Sequence, residues 1–130
     1  MAAAMWGNIL LVALGGAAGS VARYLTVLGA ARIVPGFPAG VMAANVLGSF
    51  VIGVLAVVLT GPRAGLSPLL VVGFLGGFTT FSTFSLDALR LWDGGQVGLA
   101  AVYVLGTVAL SLTAAVAGVW VAKSLGWGLA

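Results

Sequence analysis

The sequence predicts an all-α integral membrane protein of four transmembrane helices, the third of them broken at Gly76-Thr79. Three observations carry that expectation. The 130 residues are 62% hydrophobic and only 5% charged, about a fifth of the charged fraction usual in a soluble domain. A lipid-spanning helix takes about 20 mostly apolar residues, so the chain holds roughly four spans with short connections, as one domain over residues 1–130. The stretch Gly76-Gly77-Phe78-Thr79-Thr80-Phe81-Ser82-Thr83-Phe84 interrupts apolar sequence on both sides and cannot continue a plain apolar helix.

Composition also excludes several kinds of chemistry. Cysteine and histidine are absent, so there are no disulfides, thiolate metal sites or imidazole bases. Asp87 and Asp93 are the only carboxylates, too few for an acid-base pair or a triad, and the chain reads as a non-enzyme. The five basic residues are scattered rather than clustered, which removes nucleic acid as a partner. The N-terminal Met1-Ala-Ala-Ala-Met-Trp6 has no basic n-region, so the first apolar run is expected to remain as a transmembrane helix.

The first span covers about 6–31, with Trp6 and Arg32 suited to the two interfaces. Within it, Gly15-Gly16-Ala-Ala-Gly19 has a Gly-x-x-x-Gly spacing that permits close helix approach. Arg23 lies about two turns before the end of the span. It either snorkels beside Tyr24 or faces a water-filled vestibule. Pro35, Gly36 and Pro38 make the first loop.

The second span covers about 40–60. Its strongly polar residue is Asn45, which is either interhelical glue or a pore-lining amide. Gly61-Pro62-Arg63 to Pro68 forms the second loop. The third span covers about 69–91 and reaches Gly76-Gly77 after less than a full crossing. Helix can resume from Thr80 to Leu91 and stop at Gly94-Gly95. Non-helical backbone at membrane depth must be buried in protein or line a polar cavity, where its freed carbonyls can hold a cation.

The fourth span covers about 97–121. Tyr103, Thr107 and Ser111 follow at i+4 spacing and put three hydroxyls on one face. Each can bond back to its own helix, or together they can form a polar track.

Charge balance speaks to orientation. Arg63 and Lys123 fall on one side of a four-span arrangement, Arg32 and Arg90 on the other with Arg23 deeper in the span on that side, so the positive-inside bias is close to nil. A chain that inserts both ways can pair with an inverted copy of itself, as an antiparallel dual-topology homodimer. Two freed carbonyls per subunit near the axis would then give four oxygen ligands, suited to a small hard cation such as sodium.

Four sets of residues carry a family resemblance: Gly15-Gly16-Ala-Ala-Gly19-Ser-Val-Ala-Arg23-Tyr24, Asn45-Val-Leu-Gly48-Ser49-Phe50, the run Gly73 to Phe84, and the Tyr103, Thr107, Ser111 stripe. Across nearly its whole length the chain resembles the Fluc, or CrcB-type, family of fluoride channels. The resemblance implies a multi-pass protein of the cell membrane that exports fluoride passively and confers fluoride resistance. It further implies an antiparallel homodimer with two pores and a central structural sodium. On matching positions it implies Gly76 and Thr79 carbonyls for sodium, and Asn45 as a donor. Phe81 and Phe84 would be the aromatic lining, with Ser82 and Thr83 beside them. Tyr103, Thr107 and Ser111 would run along the pore, and Arg23 would sit near a vestibule. The family often has Trp-Gly-Thr-Leu at the start of the second span, where this chain has Ala39-Gly40-Val41-Met42. A hydroxyl four residues before Asn45 is therefore missing.

These residue types suit fluoride, a small and strongly hydrated anion that needs donors in place of water without being trapped. The positive ring edges of Phe81 and Phe84, one turn apart, can face an anion. Two other readings remain. A small four-helix multidrug/proton antiporter needs a membrane-embedded glutamate, and the chain has no glutamate. A non-transporting membrane assembly subunit would use every Gly, Ser and Asn for helix packing.

Overall fold

The structure is a computed structural model that describes residues 2–127. Its elements are α1 (Ala2–Ile33), α2 (Ala39–Val58), a 3-10 turn (Gly61–Leu66), a π-helical segment (Pro68–Leu75), α3 (Gly76–Phe78), α4 (Phe81–Asp93) and α5 (Val97–Ser124). Among the described residues there is no strand. Four helical stretches are long and apolar enough to cross a membrane: Ala4–Ile33, Ala39–Val58, Pro68–Asp93 and Val97–Ser124.

Turn chemistry sets the limits. Gly36 and Gly61 adopt φ of +82° and +55°, left-handed values that suit glycine, and they close the first loop and the end of the second span. Pro68 opens the third span at its first helical position, where its missing N–H would have had no partner anyway. Gly95, at φ +75°, turns the chain from α4 into α5.

The interruption of the third span is displaced from the expected one. Gly76, Gly77 and Phe78 stay helical, and the non-helical residues are Thr79 and Thr80. A glycine pair weakens a helix without breaking it. Here Gly77 is held against α1, where an added Cβ would meet Ser20 N at 3.0 Å and Ser20 Oγ at 3.1 Å. The helix ends instead where Thr80 takes the extended conformation of an N-cap, φ −154° and ψ 121°. The π-helical turns before it have no counterpart in the hydrophobic pattern, which is apolar throughout.

Two helix pairs build the molecule. α1 packs on the π segment through small residues from both sides. A Cβ on Gly15 or Gly19 would run into the carbonyls of Leu69 and Phe74, and one on Gly73 would meet Val12 O at 2.9 Å. Gly15 thus meets Gly73, Gly19 meets the Phe74 backbone and Gly16 meets Gly77, so backbones approach where side chains would forbid it. α2 packs along α5, with Gly53 against the Ala115 carbonyl and Gly118 against the Phe50 carbonyl. α4 packs mainly on α5. The buried cluster Val41, Phe84, Leu91, Ala100 and Tyr103 joins α2, α4 and α5. Many large apolar side chains, Leu10, Leu105 and Trp120 among them, are exposed, as lipid-facing positions require.

Candidate functional site

The break in the third span is held by one side chain. Asn45 of α2 accepts from Thr80 N–H through Oδ1 at 2.8 Å and donates from Nδ2 to the Thr80 carbonyl at 3.1 Å. The amide thereby replaces, for an extended residue, the partners that a helix would have supplied. Gly48, one turn after Asn45, lets α2 approach until an added Cβ would strike Thr79 Cγ2.

Thr80 in turn starts α4. Its Oγ1 accepts from Thr83 N–H at 3.2 Å and lies 3.1 Å from Thr83 Oγ1 and 3.3 Å from Ser82 Oγ. This is an N-cap with a small hydroxyl knot, and it accounts for Ser82 and Thr83 as supports of the helix start. The N-terminal, electropositive end of α4 lies at the break.

Both arrangements divert N–H groups from carbonyls. In a continuous helix Thr80 N–H would bond the Gly76 carbonyl, and Thr83 N–H the Thr79 carbonyl. The first goes to Asn45 and the second to the Thr80 hydroxyl. The carbonyls of Gly76 and Thr79 lose these partners, as those of Gly77 and Phe78 lose the N–H groups of Phe81 and Ser82 across the same break. Among the described residues there is no cluster of His, Cys, Asp or Glu able to hold a metal.

On α5 the hydroxyls of Tyr103, Thr107 and Ser111 are buried and make no hydrogen bond within the described residues. Elsewhere in the chain, hydroxyls bond back to their own helix: Thr26 to Ala22 O, Thr79 to Leu75 O, Ser85 to Phe81 O and Thr113 to Ala109 O. Thr107 and Ser111 have the same option and do not take it. A buried hydroxyl without a partner costs about 1–3 kcal/mol, so a row of three marks a place built to meet something polar.

The aromatic residues continue the row. The Phe81 and Phe84 rings lie 5.5 Å apart at 42°, and Phe84 lies 5.2 Å from Tyr103 at 41°. Phe37 meets Tyr103 edge-on at 5.7 Å. Phe84 is only 6% exposed, whereas Phe81 is 78% exposed.

One open groove of about 430 Å³ gathers Asn45, Gly76, Thr79, Phe81, Phe84, Thr107 and Ser111, with Ser49 and Thr80. Tyr103 does not line the groove and belongs to the buried cluster with Phe84. Arg23 is on α1 and does not line the groove. The sequence pattern alone assigns no role to Thr80, Ser49 or Phe37. Thr80 carried a signal, a threonine directly before a resumed helix with Thr83 three residues on. The long-range partnership with Asn45 did not show in either segment alone.

The family described as CrcB-like protein, Camphor Resistance (CrcB), matches residues 10–119. A protein of Cereibacter sphaeroides named fluoride-specific ion channel FluC is 53% identical over 124 residues, 95% of this chain and 98% of the relative. Proteins of the same name from Paracoccus denitrificans and Agrobacterium fabrum are 50% and 48% identical, over 91% of this chain in each case and 96% and 98% of the relatives. With its four apolar spans and this likeness along nearly its full length, the chain belongs to the CrcB family of membrane proteins.

Proposed function

We propose that this multi-pass protein of the cell membrane is a passive, fluoride-selective channel, and that it works as an antiparallel homodimer with two pores and a structural sodium ion. The observation that carries the reading is the row of buried, unpartnered hydroxyls on Thr107 and Ser111, facing a groove that also holds the Phe81 and Phe84 rings. Relatives named as fluoride channels, at about half identity over almost the whole chain, point to the same ion.

The chemistry follows from fluoride itself. A hard anion leaves water only where donors replace its hydration shell, and moves on only where no single site holds it too firmly. Neutral hydroxyls provide such donors without a fixed positive charge. Ring edges of Phe81 and Phe84 add weakly positive C–H groups at the electropositive start of α4. No carboxylate lines the groove, and no nucleotide-binding loop occurs in the chain, so the ion flows down its own electrochemical gradient.

Pairing is supported by the groove being open on one side with Phe81 exposed beside it. The even distribution of Arg32 and Arg90 against Arg63 and Lys123 supports antiparallel insertion. In such a pair the released Gly76 and Thr79 carbonyls of both subunits would supply four oxygens near the axis. Their hardness and lack of charge fit sodium. Bound there, sodium would tie the two breaks together and neutralise converging carbonyl dipoles.

The test is efflux from liposomes containing the purified protein, read with a fluoride electrode and repeated with chloride. Rapid fluoride release with chloride retained is the expected result. Absence of fluoride flux, or equal flux of both ions, would overturn the proposal.

A further inference from the structure

α2 is apolar along its length except for two side chains, Asn45 and Ser49. They lie about one turn apart, and both line the groove that Thr107 and Ser111 line from α5. The groove therefore has a polar row on each of two walls.

The two polar residues of α2 are not equivalent. Asn45 has committed its oxygen and one N–H to the Thr80 backbone. Ser49 makes no hydrogen bond within the described residues, although back-bonding to its own helix is the habit of Thr26, Ser85 and Thr113 in the same protein. Its hydroxyl is thus a wholly uncommitted donor on the α2 side, one turn beyond the single N–H that Asn45 has left. A strongly hydrated anion cannot be desolvated by hydroxyls from one wall alone, because the opposite half of its shell would face apolar atoms such as Ile52 and Leu75.

We propose that the Ser49 hydroxyl is an anion ligand, donating from α2 to a small hard anion while Thr107 and Ser111 donate from α5. The inference rests on the fluoride-channel reading and adds a residue and a second wall to it. It makes Asn45 chiefly the residue that positions the break, and Ser49 the one that touches the ion.

The experiment compares wild type, Ser49→Thr, Ser49→Val and Ser49→Ala in the fluoride efflux assay. Threonine and valine have the same shape, so their difference reads the hydroxyl rather than packing. Flux through Ser49→Val is expected to be about tenfold below that through Ser49→Thr, the size of one lost hydrogen bond. Equal flux in these two variants, or wild-type flux in Ser49→Ala, would overturn the inference while leaving the channel reading intact. Where the larger variants do not fold, Ser49→Ala alone decides. A second readout needs no transport: sodium fluoride, relative to sodium chloride, should raise the unfolding temperature of wild type in detergent and raise it less in Ser49→Ala. If wild type carries no fluoride, the channel reading falls, and an undiminished fluoride shift in Ser49→Ala rejects the ligand role separately.

Discussion

Asn45 and Thr80, 35 positions apart, exchange two hydrogen bonds of 2.8 and 3.1 Å in the manner of a single rung of sheet inside an all-helical protein. The rung is what permits an extended residue at membrane depth. It also sends Thr80 N–H away from the Gly76 carbonyl, so one side chain governs both the break and the acceptor it releases.

Asn45→Leu should therefore lower stability and transport together. Thr80 is only 8% exposed, and leaving its N–H without a partner costs about 1–3 kcal/mol. Thermal unfolding in detergent should fall by several degrees, and fluoride efflux should drop. An unchanged unfolding temperature would mean that the rung holds nothing.

Thr107→Val should separate the same two properties. Valine keeps the shape and removes a buried hydroxyl that has no partner, so stability should stay level or rise by about 1 kcal/mol. Fluoride flux should nevertheless fall. A loss of stability instead would place the Thr107 hydroxyl among packing residues.

Much of this arrangement is legible in the sequence. Four spans follow from apolar length, and the α5 row follows from i+4 spacing, because both are local periodicities. The position of the break is not, since Gly76 and Gly77 look like the weakest point. Their conformation is decided by α1, where Gly16 and Ser20 receive Gly77. Nor does the sequence reveal the π-helical turns or the Asn45–Thr80 rung. The rung depends on a partner 35 positions along the chain.

Gly19→Ala tests the seam between α1 and the π segment. The new Cβ would land on the Phe74 carbonyl, which is backbone and cannot swing aside. Overpacking of this kind costs about 1–3 kcal/mol, so unfolding temperature and folded yield should both fall. Gly29→Ala on the same helix meets nothing within 4 Å and serves as the neutral control.

Val41→Thr addresses the missing hydroxyl at the start of α2. Val41 is 3% exposed and belongs to the same buried cluster as Tyr103, whose hydroxyl has no partner. A threonine would add a donor and acceptor there at nearly constant volume. Fluoride conductance should change, while the ratio of fluoride to chloride flux stays as in wild type. A shift in that ratio would make this position part of the selectivity machinery.

Charge placement tests the antiparallel pair. With Arg32 and Arg90 on one side and Arg63 and Lys123 on the other, neither orientation has a clear advantage. Arg32→Gln combined with Arg90→Gln leaves one side with only the deeper Arg23, and Arg63→Gln with Lys123→Gln removes the positive charge from the other. Each double variant should insert in one orientation, measured by reporter fusions at the C-terminus. If function needs one copy of each orientation, either variant alone should fail to protect fluoride-sensitive cells, and the two expressed together should restore protection. Protection by a single fixed-orientation variant would reject the antiparallel pair, because no inverted copy would be present to complete the groove beside Phe81.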